Sequence, residues 1–186
     1  AAGLQLAALA LRDQPEHRRF LEEFSGTHRH IIEYLVDEVL EHQPPDLREF
    51  LNKTAPLQRF NAALCEAVTG NATAEAILSS LERNNLFLVS LEAGGAARAG
   101  GWYRYHHLFG DVLRSGLPAK TRRATLRTAA TWFEAEGELG EAIDYWLAVP
   151  DAAEAARLID ALAPKLLKNG ELRTLLGWLD ALPDPV

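Results

Sequence analysis

The chain is short of several things, and each shortage excludes a class of protein. It has one cysteine, Cys65, in 186 residues, so no internal disulfide framework and no cysteine-rich zinc cluster can form. That thiol lies in the apolar run "NAALCEAV", where a buried, unreactive cysteine is expected rather than a nucleophile. The longest hydrophobic run, "LQLAALAL" from Leu4 to Leu11, falls far below the roughly 20 residues of a membrane-spanning helix. No basic, apolar and small-residue cleavage pattern opens the chain. A reducing, cytoplasmic location with no membrane contact is expected. Methionine is absent altogether. The opening Ala1-Ala2-Gly3 and the abrupt final "LPDPV" read as the two ends of an internal fragment.

Positive charge is also scarce. The 19 Lys plus Arg face 26 Asp plus Glu, for a formal net charge of -7. Such a surface repels a phosphate backbone unless its basic residues gather on one face. The densest basic stretch, "KTRRATLR" with Lys120, Arg122, Arg123 and Arg127, is followed by Glu134, Glu136, Glu138 and Glu141. Both read as solvated helix surface.

Catalytic signatures are missing as well. No G-x-S-x-G, H-E-x-x-H, H-x-x-E-H or Cys-x-x-Cys occurs, which removes the common hydrolase nucleophile and the common zinc sites. The glycine-rich "EAGGAARAGG" (Glu92 to Gly101) has no Lys-Ser/Thr and no helix after it, so it is not a P-loop. The histidines are His17, His28, His30, His42, His106 and His107. Neighbours one or two positions apart point in different directions, so neither His28/His30 nor His106/His107 makes a ligand pair. No enzyme, metal site or cofactor is expected within this stretch.

What the chain does contain is helix signals in a telling order. Residues 4 to 12 read as the end of a helix, and a short one follows around Glu16 to Glu23. After Thr27, Ile31, Ile32, Leu35, Val36, Val39 and Leu40 share one face of an amphipathic helix. "QPPD" stops it and starts another around Leu47 to Lys53. A helix is expected at about Gln58 to Val68, closed by Gly70, and another from Asn71 or Thr73 to about Asn84. "LFLVSL" (Leu86 to Leu91) then favours strand. "WYRYH" resumes it, with Trp102 and Arg104 on one side and Tyr103 and Tyr105 on the other. Helices followed by a β-hairpin are the order of a winged-helix domain, with "EAGGAARAGG" as the wing. In such domains the third helix reads DNA. Taken as "LQRFNAALCEAV", that helix is nearly devoid of positive charge, which argues for a protein-facing winged helix.

From Pro118 onward the pattern is helical throughout. Gly137-Glu138-Leu139 recurs as Gly170-Glu171-Leu172, a spacing of 170 − 137 = 33 residues. Ala142, Ile143, Tyr145 and Trp146 recur as Leu175, Leu176, Trp178 and Leu179. These are helical hairpins near the period of helical repeat arrays, with Pro164 expected to kink or break the helix between the two turns.

The segments "GLQLAALAL", "IIEYLVDEVL", "LNKTAPLQRFNAALCEAVTG", "LERNNLFLVSL" and "WYRYHHLF", in this order, resemble one family: the large, ATP-dependent, LuxR-type transcriptional regulators (MalT-like), which are signal-transduction ATPases with numerous domains. The resemblance spans nearly the whole chain. It implies that residues 1–26 end the helical part of an ATPase module, 27–117 form its winged-helix domain and 118–186 begin a tetratricopeptide-like superhelix. The fold implied is mainly α, a winged helix with a two-stranded wing followed by helical hairpins. ATP or ADP would be bound only in the full-length protein, through an upstream ATPase domain of the same chain. Other partners implied are the rest of the repeat domain downstream, a small-molecule inducer, self-association on activation, and DNA only through a separate C-terminal domain.

In the wider class the winged-helix domain carries a Met-His-Asp motif whose histidine contacts the β-phosphate of ADP. "YHHLF" stands where that motif would, so the resemblance makes His106 the candidate nucleotide sensor, with His107, Tyr105 and Arg104 beside it. Tyr105 and His107 replace the motif's Met and Asp. Two other readings stay open: an autonomous DNA-binding winged helix, and a helical-repeat scaffold for a peptide or small inducer.

Overall fold

The computed structural model describes residues 40, 42–83, 87–91, 101–150 and 152–183. The helices expected before residue 40, and the tip of the wing at 92–100, lie outside the described residues.

Helix α1 (Pro45–Thr54) begins with proline in its first turn, where the missing N–H costs nothing. Asp46 near its start and Lys53 near its end match the helix dipole. It buries Phe50, Leu51 and Thr54. Helix α2 (Ala62–Thr69) is capped by Asn61, whose Oδ1 accepts the Leu64 N–H at 2.9 Å, and it ends at Gly70 with φ of 72°. The expected start at Gln58 is corrected to Ala62. Phe60 exchanges two backbone hydrogen bonds of 2.8 Å with Tyr103, so the chain is extended there and cannot be helical.

Helix α3 (Ala74–Arg83) follows a turn in which Asn71 Oδ1 accepts the Thr73 N–H at 2.9 Å. Ala74, Leu78 and Leu81 form its buried stripe. Strands β1 (Leu88–Ser90) and β2 (Tyr103–Tyr105) pair antiparallel, with Leu88 opposite Tyr105, Val89 opposite Arg104 and Ser90 opposite Tyr103. Tyr103 and Tyr105 face the core and Arg104 faces out, as a period of two requires. The order α1, bridge residue Phe60, α2, α3, β1, β2 is that of a winged helix. The helix directly before the hairpin, in the DNA-reading position, is therefore α3. The sequence-based choice of "LQRFNAALCEAV", which holds α2, is corrected accordingly.

Five more helices follow: α4 (His107–Ser115), α5 (Ala119–Ala135), α6 (Leu139–Leu147), α7 (Ala152–Asn169) and α8 (Leu172–Ala181). The 33-residue repeat extends to the turns themselves. Gly137 and Gly170 have φ of 82° and 76°. After them, the Glu138 N–H donates to Phe133 O and the Glu171 N–H to Leu166 O, both at 2.9 Å. That six-to-one bond is the Schellman closure, which needs a left-handed residue and so selects glycine. Pro164 does not break α7, which runs through it to Asn169. The ring lies on the exposed side of the helix, where the carbonyl it leaves unpaired can reach water.

Helix α5 belongs to both halves. Leu126, Ala129, Ala130 and Phe133 are buried in one hydrophobic cluster that runs from Phe50 in α1 to Leu175 in α8. Thr125 Oγ1 donates to Lys53 O at 3.0 Å, tying α5 to α1. Among the described residues no helix is long and apolar enough to cross a membrane.

Candidate functional site

The paired histidines sit where β2 passes into α4. His106 has φ of -56° and ψ of 135°, and its side chain makes no capping hydrogen bond. Its backbone is fixed on both sides: the N–H donates to Phe87 O at 2.7 Å, and the carbonyl accepts the Gly110 N–H at 2.9 Å. Phe87 itself has φ of 61°, the left-handed region that a bulky side chain avoids. Such a residue costs of order 1–3 kcal/mol and persists only when its surroundings dictate it. Here Phe87 stacks on Phe109 of α4 at 4.3 Å, so strain in the backbone and packing of the ring meet directly beside His106.

The two imidazoles lie 4.3 Å apart, tilted by 33°, with His106 half-buried and His107 exposed. Partial burial, then the neighbouring His107 and Arg104, push the His106 pKa below its usual value. It is therefore neutral near pH 7 and offers one ring N–H donor. Helix α4 begins at the next residue, and its first turn presents backbone N–H groups with no acceptor inside the helix. A polar donor beside unpaired amides is an arrangement that can receive one oxyanion. It is too small to hold a nucleotide alone.

The four residues grouped by resemblance are thus not brought together. His106 and His107 share one surface, and Arg104 is exposed on the outer side of β2. Tyr105 is corrected to a core residue. Its hydroxyl is 2.6 Å from Thr54 Oγ1, its ring packs on Phe60 and Phe109 at 4.7 and 5.5 Å, and burial drives its pKa upward. An inward-facing strand position cannot also present its hydroxyl to a ligand at the surface.

Cys65 is fully buried in α2 and burial raises its pKa, so the thiolate is disfavoured. No group of histidine, cysteine or carboxylate side chains that could hold a metal ion occurs among the described residues. Helix α3 turns Glu75 and Arg83 outward, and Glu82 accepts a hydrogen bond from the Tyr103 hydroxyl at 3.1 Å. One arginine against two glutamates is a poor surface for a DNA duplex.

The profile of the MalT winged helix domain matches residues 36–126. The chain is a MalT-like segment. It is 35% identical to the HTH-type transcriptional regulators MalT of Cronobacter sakazakii and Klebsiella pneumoniae, over 98% of this chain and 20% of each regulator. It is equally 35% identical to the serine/threonine-protein kinase PknK of Mycobacterium tuberculosis, over 98% of this chain and 16% of the kinase. The chain thus spans a fifth or less of the length of these relatives. The MalT-type domain closes inside α5, within the helix that both halves share.

Other residues were not legible beforehand as a group. Arg59 forms an ion pair with Glu141 of α6, and its guanidinium lies 4.4 Å from the Trp102 ring centroid. The adjacent Gln58 N–H donates to the Tyr145 hydroxyl at 3.0 Å. The only advance signal was a lone arginine placed before the helix cap Asn61.

Proposed function

We propose that this MalT-like segment is the regulatory part of an ATP-dependent signalling protein, in which it couples nucleotide state and inducer sensing to activation. It performs no chemistry itself. The observation that carries this reading is the distribution of relatives: the same stretch, at the same identity, lies in proteins named as a transcriptional regulator and as a protein kinase. A segment shared by two different outputs is best explained as the control element common to both.

Within it, His106 is the group for the β-phosphate of ADP, supported by its neutral imidazole and by the free amides at the start of α4. ATP or ADP would be held by an ATPase domain elsewhere in the full-length protein, and His106 would stabilise the closed, ADP-bound state. Arg104 would contribute charge, and His107 the ring beside His106, rather than direct contact. Inducer and ATP would release the segment and permit self-association. DNA contact, where the output is transcriptional, would fall to a separate domain. The test is His106→Ala in the full-length protein. Faster ADP release and activation at lower inducer supports the reading, and unchanged values for both refute the sensor role.

A second reading has its own observation. Leu172, Leu176 and Leu179 on α8 and Leu167 on α7 are exposed. The counterparts of Leu176 and Leu179 one repeat earlier, Ile143 and Trp146, are buried, and α6 packs on α7 and α8 of the next hairpin. This supports the first hairpins of a tetratricopeptide-like array in which a small inducer or peptide binds along the continuing superhelix. Calorimetry with candidate inducers on the full-length protein tests it. The autonomous DNA-binding alternative has less support from the charge of α3, and retention on duplex DNA at low salt would revive it.

A further inference from the structure

We propose that Arg59 is a latch that fixes the first helical hairpin (α5 and α6) against the wing sheet, so that the two turn as one body and the helical repeats swing only beyond α6. The proposal does not rest on the nucleotide reading.

The latch is built from a three-residue segment that touches both units. Phe60 is stitched to β2 through its paired backbone bonds with Tyr103. Gln58, two residues earlier, donates its N–H to Tyr145 of α6. Arg59 lies between them. It reaches Glu141, one helical turn before Tyr145, while its guanidinium covers Trp102 and sits 5.8 Å from the Phe133 ring. Beneath it runs a column of parallel rings: Trp102 on Phe133 at 6.1 Å, and Phe133 on Tyr145 at 5.4 Å. The column takes one ring from the residue just before β2, one from α5 and one from α6. An arginine suits this place because a flat, weakly hydrated cation can stack on an aromatic face and grip a carboxylate at once.

The chain path gives no hint of this. The backbone enters the hairpins through Gly116-Leu117-Pro118, a connection remote in sequence from Arg59. The lateral tie through Arg59 adds α6 to the hold that the buried face of α5 and the Thr125 bond to Lys53 already give. The next connection, after α6, has weaker ties. Arg157 of α7 grips Glu134 of α5 at 2.8 Å, and Trp178 Nε1 of α8 donates to Asp144 Oδ1 at 2.8 Å, and both contacts are exposed. Exposed polar ties are screened and cost little to break.

The Gln58 amide reports on the latch directly, because its acceptor lies on the other body. Hydrogen exchange would be followed by NMR on the 186-residue chain as Arg59→Gln and, separately, as Glu141→Gln, a milder change at a half-exposed side chain. Arg59→Gln is expected to speed Gln58 exchange about tenfold, the loss of an ion pair plus a cation–π contact, and Glu141→Gln about two- to threefold, the loss of the ion pair alone. The Phe60 and Tyr103 amides, bonded within the wing, should keep their rates. The reversed pair Arg59→Glu with Glu141→Arg is expected not to restore protection, since a carboxylate over the Trp102 face is repelled. Unchanged Gln58 exchange in both single variants overturns the latch, and so does equal acceleration of all three amides. Full rescue by the reversed pair overturns the role given to the aromatic platform.

Discussion

Two joints in this molecule connect the same kinds of element by different means. The wing sheet meets the first hairpin through stacked aromatic rings, a backbone hydrogen bond to Tyr145 and a cation held over Trp102. The first hairpin packs on the second through α6 and α7, where Ala142, Ile143, Ala155 and Ile159 are buried, with Arg157 and Trp178 as exposed polar ties. The first joint partly buries polar groups that are satisfied in one geometry. The second hides almost none. Stiffness follows from that difference more than from buried area, since a directional bond partly shielded from solvent tolerates less movement than an exposed one.

The largest test of the comparison is Phe133→Ala. Phe133 is fully buried at the centre of the ring column, and its loss should cost about 3–5 kcal/mol. Wing and hairpin should still melt together in a single denaturant transition, and two separated transitions would break the idea of one body. Tyr145→Phe comes next. It keeps the stacked ring and leaves the Gln58 N–H without its partner, for about 1–3 kcal/mol on unfolding. An unchanged midpoint would mean that water serves that amide equally well.

The histidine site should respond to pH independently of both joints. The His106 pKa is depressed in the folded state from an ordinary 6.5. The unfolded chain then binds more protons, so stability is fully present above about 6.5 and declines as pH falls below it. His106→Gln should flatten that slope in thermal melts between pH 7.5 and 5 while leaving stability at pH 7.5 nearly unchanged. The smallest effect is expected for Arg157→Ala at the second joint. Its melting curve should overlay the parent in high salt, because the exposed ion pairs to Glu134 and Glu154 are already screened there. A large loss would show the second joint to be as firm as the first.

Much of this architecture was readable from local features. Gly137 and Gly170 marked their turns because only a residue free at positive φ closes a helix in that way. The alternation in "YRY" placed Tyr103 and Tyr105 inward, and "QPP" placed the start of α1. Errors arose where distant residues override local preference. The run from Gln58 favoured helix, yet its first residues are drawn into extended contacts with Tyr103 and Tyr145. That shortened α2 and shifted the DNA-reading position to α3. Pro164 suggested a kink or break, but α7 continues through it as one helix to Asn169.

The sequence by itself determined which elements form, because propensity, capping and glycine geometry act over a few residues. It also determined that two histidines stand at the junction of β2 and α4. Only the tertiary structure decided that Tyr105 is committed to Thr54 while His106 stays within reach of solvent. Only the tertiary structure, too, brought Arg59 to Glu141 across 82 residues and laid it on Trp102. Nothing local selects a partner so far along the chain. The choice is made by the packing of α5, which serves both halves and sets which faces meet.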